Sequence, residues 1–269
     1  YGPNNATLTI GGNLDSQQTL AWVAKYFGPI PAGPAAEDLP PQPVALEADR
    51  HVTLEDNIHL PAIAMLFPTV HYRHPDEAPL DAAAKILGQG KASLLYQRLV
   101  QSGRAVSAFV SHACRELACE MAFIVVQNPA SGETLAEMEA AVRETLHEFV
   151  ERGVNADDLQ KFTAGFESGQ IFGMQSVAGK VSNLAFAEVL TDSPANASDD
   201  IDRYLEVETD DVVRAFRQYI EGRPAVILSI VPHGRTELAA APQNFDYRSL
   251  AGEPTAIEPT VSPSLPEAP

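Results

Sequence analysis

The chain has 269 residues, 45% of them hydrophobic, so it can bury a substantial core as one large domain or two small ones. Eighteen basic against 36 acidic residues give a net charge of -18, which repels phosphate backbones and argues against nucleic acid as a partner. The longest apolar runs, 62–67 and 225–231, are far shorter than the roughly 18 residues that a membrane span needs.

The first fifty residues contain two predicted elements and a linker. Residues 5–10 alternate polar and apolar side chains before a pair of glycines, which predicts a β-strand. Leu20, Val23 and Phe27 recur at helical spacing, and they predict a helix that ends at Gly28. Six prolines between residues 29 and 43 fix backbone angles and remove donors, so this segment is expected to be an extended linker. Because the chain starts at a tyrosine without a leader, we expect a fragment of a longer protein.

Strands and helices are predicted in turn between residues 51 and 127. In chain order they are strands 51–56 and 59–67, helices 76–87 and 93–101, and strands 105–112 and 120–127. The last two strands are close enough in sequence to form a hairpin. The sequence therefore predicts a sheet of at least four strands.

Two cysteines lie at the tip of this hairpin. A four-residue loop would place Cys114 opposite Cys119, close enough for a cross-strand disulfide in an oxidising compartment. Two free thiols in a reduced protein are the other interpretation, and the sequence leaves both open. Two cysteines alone cannot provide the four ligands of a structural zinc site.

Long helices follow the hairpin. A helix with one apolar face is predicted to begin at Ser131 and to end at Gly153, the usual position of a C-terminal glycine. Asn155 and Asp158 have the spacing of a capping pair, which predicts a second long helix.

The last part of the chain is predicted to return to the sheet. After a polar break near Pro194, a helix is predicted over 209–219 and a final strand over 225–231. Seven prolines from Pro232 onward indicate a tail that is extended or disordered.

Three motifs occur together in this chain. Residues 1–6 (Tyr-Gly-Pro-Asn-Asn-Ala) precede 26–31 (Tyr-Phe-Gly-Pro-Ile-Pro), residues 94–99 (Leu-Leu-Tyr-Gln-Arg-Leu) precede a Val-Ser-Ala run, and residues 153–159 read Gly-Val-Asn-Ala-Asp-Asp-Leu. Together they resemble the pitrilysin/insulinase family of zinc metallopeptidases, and the resemblance extends to about residue 234. The first motif resembles the end of the family's catalytic lobe, and the other two resemble its second lobe.

The resemblance implies a fold and a division of the chain. The implied class is α+β, a mainly antiparallel sheet covered by long helices as in LuxS/insulinase-type lobes. Residues 1–33 would be the last strand and helix of the preceding catalytic lobe and 34–50 a proline-rich linker. Residues 51–234 would be the non-catalytic second lobe and 235–269 a proline-rich tail.

The family's zinc site is expected to be missing from this chain. That site uses His-x-x-Glu-His on a helix, where two imidazoles one turn apart bind the metal and the glutamate acts as general base. None of the seven histidines has this context, and the apparently equivalent helix reads Leu-Asp-Ala-Ala-Ala-Lys at 80–85. We therefore expect no metal ion and no cofactor in this fragment, and zinc in the missing catalytic lobe.

One other group of residues could approximate a metal site. His71 and His74 are three residues apart, and Asp76 and Glu77 follow them. Pro75 interrupts any helix through this stretch, so a polar loop is the preferred interpretation.

Substrate contacts are predicted only near the helix-to-strand step. In many active members of the family, the second lobe supplies an arginine and a tyrosine to the substrate pocket, whereas Val100 and Val106 occupy the matching positions here. Arg98 and Arg104 are the nearby candidates for substrate binding, and solvated surface charges are the alternative for both.

Three hypotheses about function follow, the first two of them from the resemblance. The first is a non-catalytic lobe of an insulinase-like endopeptidase, which encloses and positions peptide for the zinc-bearing lobe, either on the same polypeptide or in a partner subunit. The second is a catalytically inactive structural or assembly subunit of the same family. The third is an independent peptide-binding protein that uses an open sheet edge. The resemblance also implies a location in the bacterial periplasm.

Overall fold

A five-stranded sheet forms the centre of the molecule in the computed structural model, which describes residues 2–35, 39–42, 44–197 and 199–250. The strands are β1 (Arg50–Asp56), β2 (Ala62–Pro68), β3 (Ala105–Cys114), β4 (Cys119–Gln127) and β5 (Val226–Pro232). Their order across the sheet is β1-β5-β2-β4-β3. β1 and β5 run parallel and the other three neighbouring pairs run antiparallel, which confirms the predicted α+β class with a mainly antiparallel sheet.

Within the described residues, seven α-helices accompany the sheet. They are α1 (Ser16–Phe27), α2 (Glu77–Gly88), α3 (Leu135–Arg152), α4 (Ala156–Gly173), α5 (Val177–Thr191), α6 (Asp199–Leu205) and α7 (Thr209–Tyr219). A π-helix spans Tyr96–Gln101, where an ordinary helix is predicted from the sequence. Among the described residues, no helix has both the length and the apolar character that a membrane span requires.

One face of the sheet forms the hydrophobic core beneath α2, α3 and α7. Alternate residues of the central strands point into it, and Ile63, Met65, Phe67 and Phe123 are fully buried. Phe67 and Phe123 meet edge to face with their ring centroids 5.6 Å apart. Complete burial of such a side chain contributes about 1.5 to 3 kcal/mol, so this face is a principal source of stability.

The opposite face of the sheet is also apolar but less well covered. Ile124, Leu228 and Ile230 are half-buried on this face. Leu54 and Phe109, near the two edges, are 38% and 45% exposed.

Local interactions explain where α3 begins. The Thr134 side chain accepts a hydrogen bond from the Glu137 backbone N–H, and the Glu137 carboxylate accepts one from the Thr134 backbone N–H. The predicted start at Ser131 is therefore wrong, because residues Pro129–Ser131 form a separate 3₁₀ turn. The predicted end is correct: Gly153 follows the last residue with φ of 71°.

The structure differs from the sequence predictions in three further places. Residues 6–10 form no strand with any described residue, because no sheet partner lies beside them. The second long helix is two helices, since the Ser176 side chain caps a new start by accepting from the Gly179 N–H. The tail is ordered in part: the Asn244 N–H donates to the carbonyl of His51 on β1. Residues 251–269 lie outside the described part of the chain.

Candidate functional site

Helix α2 and the residue before it carry three carboxylates that are bonded to neighbouring elements. The helix packs against β3 and against α4, α6 and α7, and its sequence contains no histidine. Asp76 precedes its first turn, and Glu77 and Asp81 are one turn apart on one face. These three carboxylates, the α2 acidic cluster, define the candidate site.

Asp81 is bonded to β3 and to α6. Its Oδ1 lies 2.7 Å from Nδ1 of His112, and its Oδ2 accepts a hydrogen bond from the Tyr204 hydroxyl. The carboxylate accepts here, so Nδ1 of His112 carries the hydrogen. Nε2 of the same ring lies 2.9 Å from Oγ1 of Thr69, and the imidazole is only 1% exposed. Burial, with the charge of Asp81, raises the pKa of Tyr204 well above its usual range, so the hydroxyl remains a donor.

Glu77 is bonded to α6 and to the loop before α2. Its Oε2 accepts from Nη2 of Arg203 at 2.7 Å and from the backbone N–H of Arg73 at 2.6 Å. The residue is 3% exposed. Burial raises the pKa of the Glu77 carboxyl, and the bonds from Arg203 and Arg73 offset part of that rise.

Asp76 is bonded to α7. Its Oδ1 lies 2.7 Å from Nη2 of Arg214, and its Oδ2 accepts from the Tyr219 hydroxyl at 3.1 Å. Burial by itself disfavours this carboxylate, but the bonds from Arg214 and Tyr219 outweigh burial and lower the pKa of Asp76. Burial also raises the pKa of Tyr219, to about 12. The α2 acidic cluster therefore joins α2 to β3, α6 and α7 through internal bonds.

The pKa of Asp76 predicts a pH-dependent effect of its replacement. We expect Asp76→Asn to lower the free energy of unfolding at pH 7 by about 1 to 3 kcal/mol, because the carboxylate's bonds from Arg214 and Tyr219 are lost. A carboxyl whose pKa is depressed in the folded state stabilises the fold at pH values above its ordinary pKa of 3.8, and that stabilisation is lost as pH falls through the folded-state pKa. The difference between variant and wild type should therefore shrink in urea titrations carried out at progressively lower pH.

Asp210→Asn provides the matched control for this experiment. Asp210 is exposed in the first turn of α7, where its charge contributes only a few tenths of a kcal/mol through the helix dipole. Equal effects of the two replacements at pH 7 would contradict the role assigned to Asp76.

The structure places the two candidate substrate-binding arginines in separate ion pairs. Arg98 binds Glu148 through Nε at 2.8 Å and Nη2 at 2.5 Å. Arg104 binds Glu133 through Nε, at 2.7 and 2.8 Å from its two carboxylate oxygens. Glu133 precedes α3 and Glu148 lies in the C-terminal part of that helix, roughly 20 Å away at 1.5 Å per residue. The arginines therefore do not share one site, and their substrate-binding role stays a prediction.

The stretch that could have approximated a metal site forms a turn. The Nδ1 of His71 lies 3.0 Å from the carbonyl oxygen of Tyr72, and the Nδ1 of His74 accepts from the backbone N–H of Asp76 at 3.0 Å. Each imidazole thus uses one nitrogen on the backbone of this turn.

The structure joins Cys114 to Cys119 by a disulfide at the tip of the β3–β4 hairpin. Their neighbour His112 was not predicted as a site residue. A signal for it existed: His112 alternates with Val110 and Cys114 on β3, so the strand pattern places a histidine on the core-facing side. Its partners Asp81 and Tyr204 are distant in sequence, and strand periodicity alone does not identify them.

A cavity of about 230 Å³ opens beside this network. Asp81, His112, Phe166 and Tyr204 contribute to its lining. Phe166 stacks on Tyr204, with ring centroids 3.7 Å apart and planes 4° from parallel. The carboxylate of Asp81 and the almost fully buried imidazole of His112 thus border this cavity.

Comparison with known proteins places this arrangement in a family context. A family model described as the peptidase M16 inactive domain matches residues 1–164. The zinc protease PqqE of Helicobacter pylori is 27% identical over 241 residues, which cover 86% of this chain and 52% of that protein. This chain therefore spans about half the length of that relative.

Solved structures share the fold at low sequence identity. A protease from Helicobacter pylori has a TM-score of 0.69 at 21% identity, covering 82% of this chain and 53% of that one. An M16 inactive domain from Pseudomonas fluorescens has a TM-score of 0.66 at 17% identity, covering 82% and 52%. The periplasmic protease PqqL from Escherichia coli has a TM-score of 0.60 at 16% identity, covering 82% and 24%.

Proposed function

We propose that this chain, which belongs to the peptidase M16 family as an inactive C-terminal domain of zinc-protease-like proteins, encloses and positions peptide substrate for a separate zinc-bearing lobe. Zinc-assisted hydrolysis would take place on that other lobe, where a His-x-x-Glu-His helix supplies metal ligands and general base. The partner would be the catalytic lobe of the same polypeptide or a separate subunit. Peptide would be held between the two.

The α2 acidic cluster supports a non-catalytic role. The helix has no imidazole pair, and its carboxylates accept bonds from Arg203, Tyr204, Arg214 and the backbone of Arg73. A general base must be within hydrogen-bond reach of the water or substrate proton that it removes. Carboxylates that are bonded in this way hold the lobe together instead.

Exposed apolar side chains on α1 support the proposal that the zinc-bearing lobe packs against this helix. Helix α1 buries none of its residues, and Leu20 and Trp22 are 68% and 54% exposed. A soluble monomer rarely leaves a contiguous apolar patch uncovered, and such patches mark interaction sites. The segment before α1 also approaches α5: a Cβ at Gly11 would lie 2.6 Å from Cγ2 of Val181. Residues that we assign to the preceding lobe thus already contact this lobe.

The charge of the chain suggests which peptides would be preferred. The net charge of -18 would give a chamber wall a negative potential, which attracts cationic ligands. We therefore propose basic peptides as the favoured substrates. A periplasmic location is proposed as well, supported by the disulfide between Cys114 and Cys119 and by the fold shared with a periplasmic protease.

One observation favours the alternative of a structural or assembly subunit. Valines stand where active members supply arginine and tyrosine, and Arg98 and Arg104 are engaged by Glu148 and Glu133. A lobe whose arginines near this helix-to-strand step are held in ion pairs would shape the substrate chamber or an assembly surface rather than contact the substrate directly.

Reconstitution with a zinc-bearing half-chain of the same family tests the proposal. Cleavage of a fluorogenic basic peptide would be measured for the zinc-bearing half alone and with this chain added. We expect kcat/KM to rise at least about tenfold on addition, because oriented binding supplies much of the rate enhancement in such reactions. An unchanged rate would overturn the positioning role. A stable complex without stimulation would establish the assembly alternative in its place.

A matched pair of variants tests the surface itself. Leu20→Glu places a charge on the exposed apolar face of α1 and should abolish both complex formation and stimulation. Gln17→Glu adds the same charge to another exposed position of α1 and should leave both intact. Equal behaviour of the two variants would show that this face of α1 is not the contact.

A further inference from the structure

Three metal-ligating side chains meet at the tip of the β3–β4 hairpin. His112 and Cys114 are two residues apart on β3, so they share one face of the sheet, and Cys119 is the register partner of Cys114. Nε2 of His112 lies 3.9 Å from Sγ of Cys114. The three ligand atoms all lie within 4.8 Å of one another.

These distances suit a soft divalent cation. In a tetrahedral site, Zn–S bonds of about 2.3 Å and Zn–N bonds of about 2.0 to 2.1 Å place the ligand atoms roughly 3.5 to 3.8 Å apart. The observed separation of the imidazole nitrogen from Cys114 is already close to that value. Once the disulfide is reduced, rotation about the side-chain bonds of Cys114 and Cys119 would bring both sulfurs to the distances that a tetrahedral site requires.

The surroundings of His112 resemble the support that metal-bound histidines receive. A bound imidazole usually donates its second ring N–H to a carboxylate, which fixes the tautomer and the ring orientation. Asp81 accepts that hydrogen at 2.7 Å, and the Tyr204 hydroxyl in turn bonds Asp81. Nε2 lies on the side of the sulfurs, 2.9 Å from the Thr69 hydroxyl, whose bond to the ring a metal ion would replace.

We propose that the reduced chain binds one Zn²⁺-type ion through Cys114, Cys119 and His112, with the fourth position open to water. A dithiol reductant becomes a disulfide as it transfers two electrons and two protons to the bond between Cys114 and Cys119. The two thiols then release these protons and bind the metal as thiolates. The redox state of the hairpin thus selects between a disulfide and a metal site.

Cobalt titration of the full chain tests this proposal. The protein would be reduced with a phosphine, which becomes a phosphine oxide while water supplies its oxygen and the two thiol protons, and the excess removed. One Co²⁺ per chain should bind with a sulfur-to-cobalt charge-transfer band and the intense visible bands of a tetrahedral site, and Zn²⁺ should displace it. The oxidised chain should show neither band.

Variants separate the proposed ligands from adventitious binding. The double variant Cys114→Ser with Cys119→Ser should lose the charge-transfer band, and His112→Gln should weaken binding strongly. Asp81→Asn should reduce metal affinity about 10 to 100-fold through its effect on the imidazole. His147→Gln, at a histidine that is 68% exposed and bonds Glu221, should change nothing.

Three results would overturn the proposal. They are stoichiometric binding that is unweakened in either the double-cysteine or the His112→Gln variant, failure of the reduced chain to bind Co²⁺, and loss of the far-ultraviolet circular dichroism of the reduced chain even with saturating zinc. Circular dichroism of each variant before titration establishes that loss of binding is not loss of fold.

Discussion

Replacing Arg203 with methionine is expected to lower the free energy of unfolding by about 3 to 5 kcal/mol at pH 7, the usual cost of leaving a buried charge without its partner. Glu77 is 3% exposed, and Nη2 of Arg203 lies 2.7 Å from its carboxylate. Methionine keeps much of the length and apolar stem of arginine but neither charge nor donors. The carboxylate would keep the backbone N–H of Arg73 and lose its cation.

The deficit of Arg203→Met should depend on pH in a predictable direction. Burial already raises the pKa of Glu77 in the wild type, and removal of the guanidinium should raise it further. The folded variant then binds a proton more tightly than the unfolded chain, so its stability increases as pH falls and is lost as pH rises through the folded-state pKa. Urea unfolding at pH 7 and pH 5 should therefore show a smaller deficit at pH 5.

Two comparisons separate this mechanism from a general effect of losing an arginine. Adding Glu77→Gln to Arg203→Met removes the unpaired charge and should recover much of the lost stability. Arg217→Met alters an arginine that is 57% exposed and 3.9 Å from Glu221, where surface ion pairs contribute at most about 1 kcal/mol. If the two arginine variants lose equal stability, the buried pair does not have the role assigned to it.

The predictable part of the fold depended on short-range patterns. Strands with alternating or continuous apolar character, such as β2 and β5, were predicted within a few residues of their observed ends. The end of α3 was predicted correctly because a glycine with positive φ, Gly153, follows its last residue. The motifs that carry the family resemblance were also local, so the α+β class followed from sequence.

The parts that were missed depend on partners distant in the chain. Residues 6–10 have the pattern of a strand, but a strand needs a neighbour, and none of the described residues supplies one. Likewise the bonds of Asp81 link three elements, with His112 31 residues away and Tyr204 123 residues away. Periodicity indicates which face of a strand or helix a side chain occupies, but not which distant residue it contacts. This network therefore could not be predicted.

The close contact between α2 and β3 predicts the second large effect. We expect Gly88→Ala to lower the free energy of unfolding by about 3 kcal/mol, the upper part of the usual range for overpacking. A Cβ at Gly88 would lie 2.3 Å from the backbone N of Val110 and 2.6 Å from its Cβ. Val110 is paired with Phe123 in the centre of the β3–β4 ladder, so the backbone cannot move aside cheaply.

A second glycine in a helix provides the matched control. Gly169 lies within α4 with nothing within 4 Å of its hypothetical Cβ, so Gly169→Ala should gain about 0.5 to 1 kcal/mol from helix propensity and unfolded-state entropy. If the free energy of unfolding falls in Gly88→Ala and rises in Gly169→Ala, the loss at Gly88 is due to the steric contact and not to the replacement of a flexible residue. If Gly88→Ala is as stable as the wild type in urea, the close and rigid packing of α2 against β3 is contradicted. Because Asp81 reaches His112 across this contact, displacement of α2 should also change the imidazole resonances of His112 in NMR spectra, whereas Gly169→Ala should not.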